Sequence, residues 1–580
     1  MQASTATMPY QDRSLDIENR VSDLIDRLTP QDKAGLIFQP IMQVGDFDAE
    51  GFMGMTPPLR EVLNRRINHF NIMRAPNPRE LAQWVNAVQE AAAAQPLGIP
   101  VTISTDPRHS FTDNPATAVF AGPFSQWPEP LGFAAIGDEA LVEHFSDIVR
   151  KEYLAAGIRT ALHPQIDVTS EPRWARQVST YGSDPETVAR LGAVQIRALQ
   201  GEHIGPHSVS AMAKHFPGGG PQKDGEDPHF PFGKEQIYPG GAFELHLEPF
   251  KAAIAAGVSQ IMPYYGVPIG LRLDGELVEE VGFAFNKQII TGLLRNKLGF
   301  DGIVCTDWSV INTTYWGVEH LTPAERLVKA LNAGVDQVGG EHDTALLLAE
   351  MSAGRISEER LDISLRRILR EKFRLGLFDG TRFVDVDNAV AVIGNPQHVA
   401  EGIEAQAAAH VVIANDDVLP LRSGVKVYAE GLDPSALTGR GEHVATPEEA
   451  DVAVLRIQAP WVPRSEGGWA SIFHRGSLVF PEETLEHIRA VAAITPTIVD
   501  VYLDRPVLLG QVAPLVSAVT ANFGAGSEAY ARVLFGEAAP VGRLPFEIPS
   551  SMAAVLASFS DVPDNTFRPA YPQGFGLRLP

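Results

Sequence analysis

Residues 302–308, Gly302-Ile303-Val304-Cys305-Thr306-Asp307-Trp308, form a short apolar run that ends in a carboxylate and a large aromatic. Such a run, opened by a glycine and closed by polar residues, reads as a strand buried on both faces, the kind found in parallel sheets. An ionised Asp at the tip of a buried strand is unfavourable unless it is paired or used. This segment alone leaves two readings open. Asp307 either caps the element that follows or belongs to a functional site.

The same pattern recurs along the first two thirds of the chain. The run 99–104 leads into Thr105-Asp106, 159–162 into His163 and Asp167, and 208–213 into Lys214-His215. Residues 260–262 lead to Tyr264-Tyr265, and 335–338 to Gly339-Gly340. Amphipathic segments at 184–200, 241–256 and 357–375 alternate with these runs and predict helices. Alternating strands and helices imply parallel β/α units, either an open sheet or a barrel. Polar groups gathered at the C-terminal ends of successive strands favour the barrel, because barrel active sites assemble there.

Past Asp379-Gly380, residues 381–396 hold few helix formers and read as a linker between a first domain, 1–380, and a second, 397–580. Apolar runs at 411–414, 425–428, 452–455 and 497–502, with a helical stretch at 481–493, predict a second α/β domain built on an open sheet. A chain of 580 residues is too long for one core, which agrees with that division. Lys and Arg number 47 against 71 Asp and Glu, a net charge of −24 without basic clusters, so no nucleic-acid partner is expected. The single cysteine, Cys305, lies in an apolar run and reads as core filler. With no apolar leader in 1–20 and no membrane-length apolar stretch, a cytoplasmic location and no membrane partner are expected. An oligomer is left open.

The strand-end groups suit a sugar. Asp106, Asp167 and Asp307 supply carboxylates, Arg173, Arg176, Lys214 and His215 supply donors, and Trp174, Tyr264, Tyr265 and Trp308 supply rings. Hydroxyls want charge-assisted hydrogen bonds, whereas the C–H faces of a pyranose want an aromatic platform. Arg173 and Arg176 could equally pair with Glu171 and Asp184. No metal-ligand spacing and no phosphate loop occurs, so neither metal nor cofactor is expected.

Ordered segments along the chain resemble glycoside hydrolase family 3. They are 21–36 (VSDLIDRLTPQDKAGL), Asp167 with 171–176 (EPRWAR) and 181–185 (YGSDP), 214–218 (KHFPG), and Thr306-Asp307-Trp308. They continue with 367–378 (RILREKFRLGLF), 526–528 (GSE), 533–536 (VLFG), 542–545 (GRLP) and 571–577 (YPQGFGL). The resemblance implies a (β/α)8 TIM-like barrel followed by an α/β open-sheet sandwich domain that contributes to the active site. It implies a retaining exo-acting β-glycosidase, in the first place a β-glucosidase acting on small or aryl glycosides. Two carboxyl groups about 5–5.5 Å apart are then needed, one as nucleophile and one as general acid and base.

By that resemblance Asp307 takes the nucleophile position. Asp106, Arg176, Lys214 and His215 match positions that bind the sugar's hydroxyls, and Tyr265 and Trp308 fall where aromatics surround it. Glu466, in Pro463-Arg464-Ser465-Glu466-Gly467-Gly468, stands in the region of the second-domain acid/base, although the usual pattern after Glu-Gly is replaced by Gly468-Trp469-Ala470. A second reading comes from Asp227-Pro228-His229, which is similar to the Asp-Ser/Thr-His acid/base loop of the family's N-acetylglucosaminidases. In that reading His229 and Asp227 do the acid/base work, and the enzyme is a β-N-acetylhexosaminidase or a glycoside phosphorylase. A non-catalytic sugar-binding relative would have lost Asp307.

Overall fold

The computed structural model describes residues 8–112, 118–465 and 467–579. Its first sheet is a closed ring of parallel strands. Strand β1 consists of Phe38–Gln39 and Ile41–Met42 on either side of Pro40, which has no N–H to give a ladder. Then come β2 (His69–Ile72), β3 (Thr102–Thr105), β4 (Thr160–Ala161), β5 (Ser210–Phe216), β6 (Gln260–Pro263), β7 (Ile303–Val304) and β8 (Val338–Gly339). Neighbours pair in that order from β1 to β7, all parallel. The ring closes because Cys305 bridges Gln337 and the first half of β1 pairs with β8. The seven-stranded sheet plus β8 thus makes eight strands among the described residues.

Helices alternate with these strands, and their starts are written locally. Asp184 caps Pro185–Gln200 by accepting from the amides of Glu186 and Thr187, and Thr322 forms a capping box with Glu325 at the head of Pro323–Ala333. The last barrel helix, Glu358–Arg374, plugs the N-terminal end of the ring with two charged residues. Lys372 donates to the carbonyls of Asn68 and Pro100 and to Thr102 Oγ1. Glu371 accepts from Ser210 Oγ and Gln260 Nε2. Polar groups there tie strand starts together and leave the opposite, C-terminal face for chemistry.

The second domain holds a six-stranded sheet. In chain order its strands are β9 (Val411–Asn415), β10 (Lys426–Glu430), β11 (Glu442–Val444), β12 (Val452–Gln458), β13 (Thr497–Tyr502) and β14 (Ala518–Asn522). The spatial order is β9-β14-β13-β12-β10-β11, with β9 antiparallel to β14 and the other pairings parallel. Apolar clusters cover both faces, which makes it a sandwich layer. Within 381–396, read from composition as an irregular linker, Val386–Val392 is helical because Asp385 caps it by accepting from Asp387 and Asn388.

Several second-domain groups grip the barrel's C-terminal face. Asp561 accepts from the amides of Gly240 and Ala242, both at 2.7 Å, at the head of helix Phe243–Ala255, where Ala242 offers no side-chain cap. Pro545 O accepts from Ser183 N, and Ser560 O accepts from Ser170 Oγ. Among the described residues no helix is long and apolar enough to cross a membrane.

Candidate active site

The tip of β7 is shaped by β8. Trp308 has a φ of 108° and Ser309 a φ of 55°, conformations that L-residues adopt only when their surroundings impose them. Gly339 permits this: a Cβ there would lie 2.5 Å from Trp308 Cε3 and 2.6 Å from Thr306 O. Thr306 Oγ1 accepts from Gly339 N at 2.9 Å and locks the two tips together.

Turned this way, Asp307 is buried, at 7% exposure, with its two oxygens in different states. Tyr265 Oη donates to Oδ1 at 2.8 Å and also lies 3.0 Å from Trp308 O. Among the described residues Oδ2 accepts no hydrogen bond, and it faces His215 Nε2 at 3.7 Å. Burial, and then the Asp307 charge, push the Tyr265 hydroxyl well above its ordinary pKa, so it remains a donor.

His215 is aimed from behind. Asp167 Oδ1 accepts from the backbone amides of His215 (3.1 Å) and Gly219 (2.6 Å), and Oδ2 lies 2.8 Å from His215 Nδ1. A carboxylate that accepts on both oxygens assigns the proton to Nδ1 and leaves Nε2 as an acceptor facing the pocket. Burial, followed by the Arg176 charge, holds His215 well below its usual pKa, so the ring is neutral. Burial pushes the Asp167 carboxyl up to about 6.

The hydroxyl-binding groups lie on neighbouring strand ends. Lys214 Nζ donates to Asp106 Oδ1 at 2.8 Å, and Asn71 Nδ2 to Asp106 Oδ2 at 3.2 Å. Burial would raise the Asp106 carboxyl, but Lys214 and Asn71 hold it below the usual carboxylate range. Arg176 is buried, reaches Gln165 Oε1 only at 3.5 Å, and has an Nε without a partner among the described residues. Its burial opposes the charge, yet Tyr264, Asp227, Asp307 and Asp167 together raise its pKa. Arg173, in contrast, is structural: it pairs with Glu171 at 2.8 Å.

Asp227 and His229 also reach this pocket. His229 Nδ1 pairs with Asp227 Oδ1, and the His229 ring stands edge-on to Tyr265 at 4.7 Å between centroids. Trp316 Nε1 donates to Pro228 O at 2.6 Å and pins the turn. From the second domain, Phe473 packs on His229 and on Phe230, both at 5.2 Å. Glu466 lies outside the described residues.

The structure therefore brings together Asp106, Arg176, Lys214, His215, Tyr265, Asp307 and Trp308, with Asp227 and His229 beside them. Sequence reasoning missed Asn71 and Gly339 as parts of the site. Asn71 left a signal, a polar side chain in the fully buried strand β2. Gly339 was visible as a strand-end glycine, but its partner was not. Among the described residues no group of three or more His, Cys, Asp or Glu side chains is placed to hold a metal ion.

A closed β/α barrel carrying such carboxylates, donors and rings at its C-terminal face defines a glycoside hydrolase. Residues 67–371 match the model of the Glycosyl hydrolase family 3 N terminal domain, and residues 322–579 that of the C-terminal domain. The chain belongs to glycosyl hydrolase family 3. It is 45% identical to a probable beta-glucosidase C of Aspergillus flavus over 98% of this chain and 91% of the relative. It is 38% identical to a periplasmic beta-glucosidase/beta-xylosidase of Dickeya chrysanthemi over 98% of this chain and 91% of that protein. A solved β-glucosidase from Erythrobacter marinus shares the fold, with a TM-score of 0.81 at 21% identity, covering 99% of this chain and 84% of that one. A Listeria innocua β-glucosidase in complex with glucose superposes with a TM-score of 0.79 at 19% identity, covering 97% and 83%.

Proposed function

We propose that this chain is a retaining β-glucosidase that removes a terminal β-linked glucose through a covalent glycosyl-Asp307 intermediate. One observation carries the reading: Tyr265 fixes one oxygen of a buried Asp307, and the other accepts nothing from the described residues and faces the pocket. A nucleophilic carboxylate needs that asymmetry, one oxygen oriented and one free to attack. Oδ2 attacks the anomeric carbon while the aglycone oxygen leaves and takes a proton from the acid/base. Water, deprotonated by the same group, then attacks that carbon and frees Asp307. Asp106, Lys214, Arg176 and the acceptor Nε2 of His215 bind hydroxyls, and Trp308 and Tyr265 wall the ring. Glu466 is our acid/base, on sequence alone. The names of the Aspergillus and Dickeya relatives support glucosides, and the Dickeya name adds xylosides.

A panel of nitrophenyl glucoside, xyloside, galactoside and N-acetylglucosaminide tests the substrate class. Asp307→Ala should abolish turnover of the glucoside with the fold intact, and unchanged activity would refute the assignment. His229, hydrogen-bonded to Asp227 and beside Tyr265, favours a second reading, in which Asp227 and His229 supply the proton and the sugar is an N-acetylhexosamine. Azide should rescue Glu466→Ala in the first reading and His229→Ala in the second.

A further inference from the structure

The loop after β5 and a second-domain loop after β12 meet beside the nucleophile, through a charge cluster and an aromatic one. Glu226, next to Asp227, receives two arginines from the second domain. Arg464 Nη2 lies 2.8 Å from its Oε1, and Arg475 reaches it through Nη2 at 2.9 Å and Nε at 3.0 Å. Arg464 also stacks over Phe232 of the barrel loop at 3.3 Å. Between the two arginines in sequence come Phe473, wedged against His229 and Phe230, and Trp469, edge-on to Phe473 at 6.1 Å. Contacts thus run from Asp307 through Tyr265, His229 and Phe473 to Trp469, which is 48% exposed.

We propose that Glu226 is a positioning residue: its carboxylate latches Arg464 and Arg475, and with them Phe473 of the second domain, onto the barrel and so builds the leaving-group side of the pocket. The proposal rests on the β-glucosidase reading. One carboxylate shared by two guanidiniums is the element that removal turns from attractive to repulsive, since among the described residues Glu226 is the carboxylate that both arginines pair with. The sugar-binding groups Asp106, Lys214 and His215 all belong to the barrel and do not depend on the latch. Glu466, our acid/base, stands in the latched segment, so the second chemical step is exposed to its loss whatever the substrate; in kcat/KM, which reports only bond cleavage, loss of Glu226 should be felt where the leaving group needs that wall and a proton.

The test compares Glu226→Gln with the parent enzyme on cellobiose and on β-glucosyl fluoride, whose small leaving group makes no use of the wall. We expect kcat/KM to fall about tenfold or more on cellobiose and to stay within about twofold on the fluoride. Arg475→Gln, which leaves Arg464 on Glu226, should shift the same ratio in the same direction, and Glu226→Asp should recover part of it. Trypsin gives a readout independent of turnover: cleavage after Arg464 and Arg475 should accelerate in Glu226→Gln. Equal losses on both substrates, no loss on either, or unchanged cleavage would overturn the latch. A parent enzyme inert on both sugars would instead overturn the β-glucosidase reading, and the cleavage rates would still decide the latch.

Discussion

Replacing Tyr265 by Phe removes one hydroxyl and little else. The ring that packs on His229 stays, and the 2.8 Å hydrogen bond to Asp307 Oδ1 is lost. Both partners are buried, so solvent does not replace the bond directly. A hydrogen bond to a charged group is worth about 1.5–3 kcal/mol, which is roughly 10- to 150-fold in rate if it is expressed in full. Its place in the cycle follows from charge. In the covalent intermediate Asp307 is an ester and holds the hydroxyl weakly, whereas in its breakdown the carboxylate re-forms and needs the donor. The loss should therefore fall on deglycosylation. With dinitrophenyl β-glucoside, kcat should drop about 10- to 100-fold, KM should fall with it, and a burst of close to one equivalent of phenol should precede steady state. A kcat unchanged within about twofold, or a slower enzyme with no burst and unchanged KM, would refute the assignment of this hydroxyl to the departing carboxylate.

Two further outcomes follow from the second row of residues. Asp167, raised to about 6 from an ordinary 3.8, keeps its proton longer in the folded chain than in the unfolded one, so stability falls as pH rises from about 4 to about 6. Activity runs the other way: below about 6 a protonated Asp167 no longer holds the Nδ1 proton of His215, and kcat/KM should fall along an acid limb there. Asp167→Asn should remove both that limb and the stability slope, measured by a pH–rate profile and thermal melts, and a persisting limb near 6 refutes the assignment. Gly339→Ala would place a methyl 2.5 Å from Trp308 Cε3 and 2.6 Å from Thr306 O, forcing the β7 tip to move. Overpacking of this kind costs about 1–3 kcal/mol, so the melting temperature should drop and kcat/KM should fall more than about tenfold. Parent-like values in both would show that the tip tolerates the shift.

Much of the barrel was legible because burial writes it locally. A strand covered on both faces must be apolar, and a group meant for chemistry must interrupt that pattern at the tip, as Asp307, Lys214 and Asp106 do. Strands β1 and β2 were not read. Pro40 splits one, and His69 and Asn71 make the other look polar, although it is wholly buried. In the second domain β11 and β14 were missed as well, since a three-residue strand such as Glu442–Val444 carries almost no periodicity. Asp385, which starts the helix inside the expected linker, was a capping signal outweighed by poor helix propensity nearby.

Strand–helix alternation, the tips bearing Asp307 and Lys214-His215, and the ordered segments of the family are all written in the chain. Each of these is a local arrangement that a few consecutive side chains can specify. Folding settles the rest: which oxygen of Asp307 is held, which ring nitrogen of His215 faces the pocket, and that Glu226 meets Arg475 from 249 residues away. Those facts depend on distances between segments that no periodicity records, and they exist only once the barrel has closed and the second domain has docked on its mouth.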